Sequence, residues 1–331
     1  MQFNKNRRHL LRTAGAVGMA GMLSPFHAAL AEDYPSGPVR LVNPFAPGGT
    51  ADMISRLFST KLSQLTKANI VVVNLGGAGG TIGSDHVAKS PPDGYALLLS
   101  NVASQAIASS LYPNLPYDPV KGFEHIAMIS SLPNVLVVGP AVKANNYKDF
   151  IAEAKAHPGQ MTFGSAGNGS SPHLSGELLN LRTGIKARHV PYKGAGPALM
   201  AVIGGELSFQ FENCSTAIPQ VKAGKLRALG VTSAKRIAAL PDVPTMGELG
   251  VPDFVVGSWY GLSAPPKTPK KIVDYWAKAV ATVLQDPDLL KQLTLMGAEP
   301  PAIAPSGYTA FIDSEMKRWS NLIKSSGAKV D

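Results

Sequence analysis

In VRLVNPFAPGGTADMISRLFSTKLSQL, residues 39–65, the hydrophobic pattern changes character twice. Residues 39–45 are a short apolar run closed by the Pro- and Gly-punctuated APGGT, after which Met53, Ile54, Leu57, Phe58, Leu62 and Leu65 recur at helical spacing. The stretch therefore predicts strand, loop and helix. The unit recurs: NIVVVN (69–74) leads into GGAGG and a segment at 81–90, and YALLLSN (95–101) leads into a Ser- and Ala-rich stretch. Strands this apolar are buried on both faces and belong in a mainly parallel sheet covered by helices, which makes the fold class α/β.

A second series follows the strand VLVVGP. KDFIAEAKAHPG predicts a helix, MTFGSAG a strand, and GSAGNGSSPHLSGELL (164–179) a loop running into a helix; HVPY, ALMAVIGG, LSFQFEN and RALGVTS then alternate again. VVGSWYGLSAP reads as a strand returning to the first sheet. Two helices are expected to finish the chain, one from Lys270 with Ile272, Val273, Trp276, Val280, Val283 and Leu284 on one side, the other around FIDSEMKRWSNLI.

The first residues carry Lys5, Arg7, Arg8 and Arg12 with no acid, then a weakly apolar Gly- and Ala-rich stretch, then Ala29, Leu30 and Ala31 as an AxA cleavage site. This is the grammar of an export signal over residues 1–31, too short in its apolar part to cross a bilayer, and the Arg pair suits either the twin-arginine or the general secretory route. A soluble periplasmic product is expected. Cleavage removes four basic residues and no acidic one, so the net charge falls from +9 to +5. With no run of Lys or Arg and no aromatic-basic interleaving, no nucleic-acid partner is expected. Cys214 is the only cysteine, which excludes an internal disulfide and a lipid-anchoring cysteine after the leader. The remaining 300 residues are long for a single core, so two domains are expected, and the product should be a monomer. The boundaries fall at 32–131 for the first part of domain 1, 132–251 for domain 2 and 252–331 for the return to domain 1.

Where a strand runs through a Gly- or Ser-rich loop into a helix, the first N–H groups of that helix lack internal partners and face whatever occupies the loop. Three loops fit: 46–52, 76–83 and 164–173. In open parallel sheets such loops gather at the carboxyl ends of the strands, where ligands bind, and an anion is the natural guest.

Over essentially the whole mature chain the sequence resembles the tripartite tricarboxylate transporter receptors (TctC, or Bug proteins). The resemblance rests on PFAPGGTAD, NLGGAGGTIG, LPYDPVKGFEHIAMI, AKAHPGQMTFGSAGNGSSPHLSGELL, VPYKGAGPAL, GKLRALGVTS, KRIAALPDVPT and SWYGLSAP, in the family's order. It implies a two-lobed, periplasmic-binding-protein-like fold, each lobe a mainly parallel sheet flanked by helices, that closes on a small organic carboxylate and delivers it to tripartite tricarboxylate transporter membrane subunits. The loops carried over are 45–52 and 165–173, and the expected ligand-binding residues are Phe45, Ala46, Gly48, Gly49, Thr50, Asp52, Gly77, Asn101, Ser104, Ser165, Asn168, Ser170, His173 and Asn213. The chain departs from the family pattern at Leu75, Gly76 and Gly77 (Arg-Pro-Gly is frequent there), at Ser109 (Asn) and at Glu212 (Asp); these positions bear on ligand identity.

Gly77, Gly79 and Gly83 are spaced as a loose dinucleotide fingerprint, but no acidic residue closes the next strand, so no cofactor is expected. Seven scattered histidines give no metal-ligand spacing. Asp52 is expected to charge the start of its helix, and Cys214, Trp259 and Tyr260 are core residues within reach of the cleft. Two alternatives accompany the receptor: a protein of the same fold that presents its ligand to a sensor, and a secreted hydrolase using Ser170 or Ser171 with His173; GxSxG is absent and no acid is evidently paired with His173, so helix capping by the serines, with His173 packed in the first turn, is the reading preferred to catalysis.

Overall fold

The computed structural model describes residues 34–326, and the export leader read at residues 1–31 lies outside the described residues. The first elements are β1 (Val39–Asn43), α1 (Thr50–Thr66), β2 (Ile70–Asn74), α2 (Thr81–Ala88) and β3 (Ala96–Asn101), then a π-helical turn at Ala103–Ile107 running into α3 (Ala108–Leu111). The long strand β4 (Glu124–Val138) follows, then α4 (Tyr147–Ala156), β5 (Thr162–Ser165), α5 (Ser171–Thr183), β6 (Arg188–Pro191), α6 (Ala195–Ile203), β7 (Phe209–Asn213), α7 (Cys214–Lys222) and β8 (Arg227–Val231). The chain ends with β9 (Gly257–Ala264), α8 (Lys270–Val283), α9 (Pro287–Leu295) and α10 (Tyr308–Ser326).

The strands form one curled sheet, ordered β2-β1-β3-β9-β4-β7-β5-β6, with β8 attached to β4. At one end β2, β1 and β3 are parallel; at the other β6, β5 and β7 are parallel. Antiparallel strands join the two trios. β9 lies between β3 and the first part of β4, while residues 134–138 of β4 run between β7 and β8. The return of β9 to the first sheet is as the sequence predicts.

β4 is where sequence and structure part. The expected strand, VLVVGP, starts at Val135, just after SSLPN (130–134). Instead the 15-residue strand continues through it, and Pro133, paired with Gly257, stands where the partner changes from β9 to β7 and β8. A residue without an N–H is tolerated where a ladder ends. The third C-terminal helix, α9, is a further correction to the expectation of two: Asp286 caps it through the N–H groups of Asp288 and Leu289, with Pro287 at its first position. α7 also escapes the pattern, since it follows β7 without a glycine loop and contains Pro219.

The helices form because one stripe of each meets the sheet. Ile54, Phe58 and Leu62 of α1, Ile272, Trp276, Val280 and Val283 of α8, and Tyr308, Ile312 and Trp319 of α10 are all buried. Trp259 of β9 belongs to this core, its indole N–H bonded, like that of Trp319, to the buried carboxylate of Glu315 at 3.0 Å. Cys214 is buried with its thiol against the Met296 and Gly297 carbonyls.

Candidate functional site

Between the two parallel trios lies a cavity of about 30 Å³, little more than a water needs. Its walls are helix beginnings. Gly49, Thr50 and Ala51 open α1; Ser170, Ser171 and Pro172 open α5; Ala195 opens α6; Asn213 precedes α7. Phe45, Ala46, Asn101, Val102, Ala103, Ala166, Ser258 and Tyr260 complete the lining, and among the described residues none that lines it is charged. The strands end here because the chain leaves β1, β3, β5 and β7 at the same edge of the sheet.

The helix starts differ in what they leave unbonded. The residue before α1, α6 or α7 makes no side-chain cap, so the first-turn N–H groups of these helices, which have no intrahelical partner, keep no oxygen from an N-cap side chain. α5 offers fewer: Ser170 Oγ accepts the His173 N–H at 3.4 Å and donates to Gly167 O at 2.7 Å, and Pro172 has no N–H, which leaves the Ser171 N–H as the one first-turn donor that the cap does not take.

The floor is a polar network on strands and α5. Asn213 Nδ2 donates to Asn134 Oδ1 and to Ser258 Oγ at 3.0 Å, and Tyr260 donates its hydroxyl to Asn213 Oδ1 at 3.2 Å. Ser258 Oγ meets Ser171 Oγ at 2.7 Å, and Asn134 Nδ2 donates to Ser175 Oγ at 3.0 Å. Burial pushes the Tyr260 phenol up, so it stays a neutral donor. Asn134 and Ser258 are not among the expected residues; their only signal in the sequence is that each follows a residue that reads as a break, Pro133 and Gly257.

Each loop rests on its own brace. Asp52 accepts from Gly48 N–H at 3.2 Å, Asn74 Nδ2 at 3.1 Å and Arg56 Nε at 3.0 Å. Burial alone would raise the Asp52 carboxyl, but these donors outweigh it and hold it below its ordinary value. Under the second loop His173 and His189 stack with ring centroids 4.0 Å apart. Gly169 N–H donates to His173 Nδ1 at 3.1 Å, and Ser165 Oγ lies 2.6 Å from His189 Nε2. Burial drives His173 down to about 4; burial and then the neighbouring His173 drive His189 down to about 3.

Of the expected ligand residues, Phe45, Ala46, Gly49, Thr50, Asn101, Ser170 and Asn213 line the cavity. Asp52, Ser165 and His173 lie behind their loops as braces, and Ser104 sits behind Asn101, whose Nδ2 it accepts at 3.1 Å. Gly48 donates to Asp52, and Gly77 and Asn168 line a separate opening with Tyr112 and Lys193. Tyr260 reaches the cavity; Cys214 and Trp259 do not line it.

At the rim the two ends of the sheet touch. Thr50 Oγ1 shares hydrogen bonds with Ser215 Oγ at 2.7 Å and Thr216 Oγ1 at 3.4 Å, and Ala46 N–H reaches Lys193 O at 3.4 Å. Gly79, at φ +63°, passes so close to Asn168 that a Cβ there would lie 2.4 Å from its carbonyl oxygen.

A family model described as the tripartite tricarboxylate transporter family receptor (TctC) matches residues 54–328. Protein BugT of Bordetella pertussis (strain Tohama I) is 36% identical over 327 residues, covering 98% of this chain and 99% of that one. The solved structure of R. palustris Rpa4515 with adipate is 34% identical with a TM-score of 0.87, over 90% of this chain and 100% of that one. MatC (Rpa3494) from Rhodopseudomonas palustris with bound malate is 32% identical with a TM-score of 0.83, over 87% and 99%. The hydrolase alternative ends here: these are substrate-binding proteins, and Ser170 and Ser171 bond to Gly167 and Ser258 rather than to an imidazole. A two-ended α/β sheet with helix starts converging between its ends, together with these likenesses, places the chain in the tripartite tricarboxylate transporter receptor family.

Proposed function

We propose that this receptor captures a small organic carboxylate in the periplasm, between lobes that close on it, and hands it to the membrane subunits of a tripartite tricarboxylate-type transporter. The observation that carries the reading is the convergence of three uncapped helix starts, α1 from one end of the sheet and α6 and α7 from the other, on an uncharged cavity. Each hydrogen bond to a carboxylate contributes about 1.5 to 3 kcal/mol, and a helix start adds roughly 0.3 to 2 kcal/mol. Four or so donors thus offset desolvation and reach micromolar affinity, which needs about −8 kcal/mol. No arginine has to enter the site.

Closure follows from donors on both sides. Residues 132–251 form the inserted lobe, and the two crossings, at Pro133 in β4 and in the segment before β9, are the hinge. A cavity this small is the shut form, with Thr50 against Ser215 and Gly79 against Asn168; the crossings must flex to admit a solute. An acid that meets donors from both lobes binds the closed form best and shifts the population toward it. Because relatives were solved with adipate and malate, short aliphatic dicarboxylates are the first class to try. A thermal-shift screen of refolded protein against such acids and their amides is expected to show stabilisation by an acid and not by its amide. Equal shifts with both would contradict carboxylate capture.

A further inference from the structure

Glu212 is the last charged-type side chain before α7, and it has no solvent exposure. Its carboxyl accepts from Gln210 Nε2 and Thr216 Oγ1. Thr216 Oγ1 in turn lies 3.4 Å from Thr50 Oγ1, on the opposite side of the cavity, and Thr50 lines the cavity itself. Glu212 is therefore separated from the carboxylate site by one hydroxyl, at the same α7 start that an anion would use. Cys214 of α7 and Tyr260 of β9 are the titratable groups that feel its charge, both raised by burial, and among the described residues no Lys, Arg or His forms an ion pair with it.

Two negative charges cannot share one uncharged, water-poor helix start without a large penalty, and the one with access to a proton gives way. We propose that Glu212 is a proton-linked positioning residue: capture of an anion in the cavity takes up one proton from solvent onto Glu212. The neutral carboxyl then donates to Thr216, which no longer has to donate to Glu212, and the α7 start and the Thr50 hydroxyl are left to the ligand. Burial first, opposed by the bonds from Thr216, the Asn213 N–H and Gln210, holds Glu212 at about 7, so the proton is exchangeable near neutrality. His173 and His189 titrate far below that point, at about 4 and about 3.

This inference rests on the carboxylate reading, and its test separates the two. Calorimetric titration of the whole mature protein with adipate and with malate, from about pH 6.5 to 8.5 where both acids are ionised, is run in two buffers of different ionisation enthalpy. Proton uptake approaching one per acid is expected above neutrality, with Kd rising roughly tenfold per pH unit once pH exceeds about 7. Glu212→Gln, which keeps the shape and supplies a permanent donor, should bind with no proton uptake and a flat pH profile. Thr216→Val should keep the carboxyl but uncouple it, leaving a neutral-carboxyl infrared band that Glu212→Gln lacks. Binding without proton uptake, or the same pH profile in wild type and Glu212→Gln, overturns the proposal and leaves the receptor intact. No binding of either acid at any pH counts against the receptor reading and takes the proposal with it. Absence of the infrared band in wild type near pH 6 overturns the proposal whatever binds.

Discussion

The loop before α1 and the loop before α5 look alike in sequence, and in the fold they do opposite things. Both follow a parallel strand, both are rich in glycine and both open a helix at the cavity. The α1 loop turns its one ionised side chain, Asp52, backwards onto Gly48, Asn74 and Arg56, so the start of α1 keeps its donors. The α5 loop spends its polar groups on itself and its neighbours: Ser165 on His189, Ser170 on Gly167 and His173, Ser171 on Ser258. Side-chain donors next to a helix start therefore compete with the ligand as readily as they serve it. The second lobe's free donors lie at α6 and α7 instead.

The largest effect expected from this contrast is at Gly49. A Cβ there would sit 3.6 Å from the Ala195 Cβ, ordinary contact, but the branches of a valine fill the gap between α1 and α6. Gly49→Val should lower affinity by more than about 100-fold, some 3 kcal/mol, with an unchanged melting temperature. Calorimetry checks the first part and a thermal melt the second; undiminished affinity would remove α1 from the site.

Smaller effects should separate binding from stability. Asp52→Ala releases three donors and loosens the α1 loop, so affinity is expected to fall roughly tenfold, about 1.4 kcal/mol. Ser170→Ala removes the α5 cap and the bond to Gly167 O; stability should drop by about 1 kcal/mol with affinity changed little. If Ser170→Ala instead weakens binding as much as Asp52→Ala, the loops are equivalent and the contrast fails.

The subtlest difference is in pH response. His173 and His189 are held below their ordinary 6.5, so the unfolded chain binds protons first; their contribution is complete above about 6.5 and is lost as pH falls toward 4. Asp52 is lowered from 3.8, so its contribution persists until pH falls below that value. Hydrogen exchange, corrected for intrinsic rates, should show residues 165–173 opening between about pH 6 and 4 while residues 45–52 stay protected. Simultaneous opening would mean that the braces are not independent.

Much of this was legible. The change from apolar run to helical spacing around APGGT gives β1, the loop and α1, because a buried strand and an amphipathic helix leave different periods. Seven of the expected ligand residues reach the cavity, since a Gly loop at a strand end is a local feature. What stayed hidden is tertiary. Pro133 signals a break, yet the strand passes through it because a change of partner removes the need for its N–H. Ser165 and His173 carry the same letters whether they face a ligand or each other's support; only the stack on His189, a residue of another strand, turns them inward. α7 begins without a glycine to announce it, so its free donors were not anticipated.

The most direct test of the central claim is an amide chemical-shift titration of labelled protein with the acid that gives the largest thermal shift. Large shifts are expected at Thr50 and Ala51 of α1, Ala195 of α6 and Cys214 and Ser215 of α7, on both sides of the cleft, with the capped His173 N–H of α5 moving least. Shifts led by His173, or confined to one lobe, would contradict capture by the α1, α6 and α7 starts.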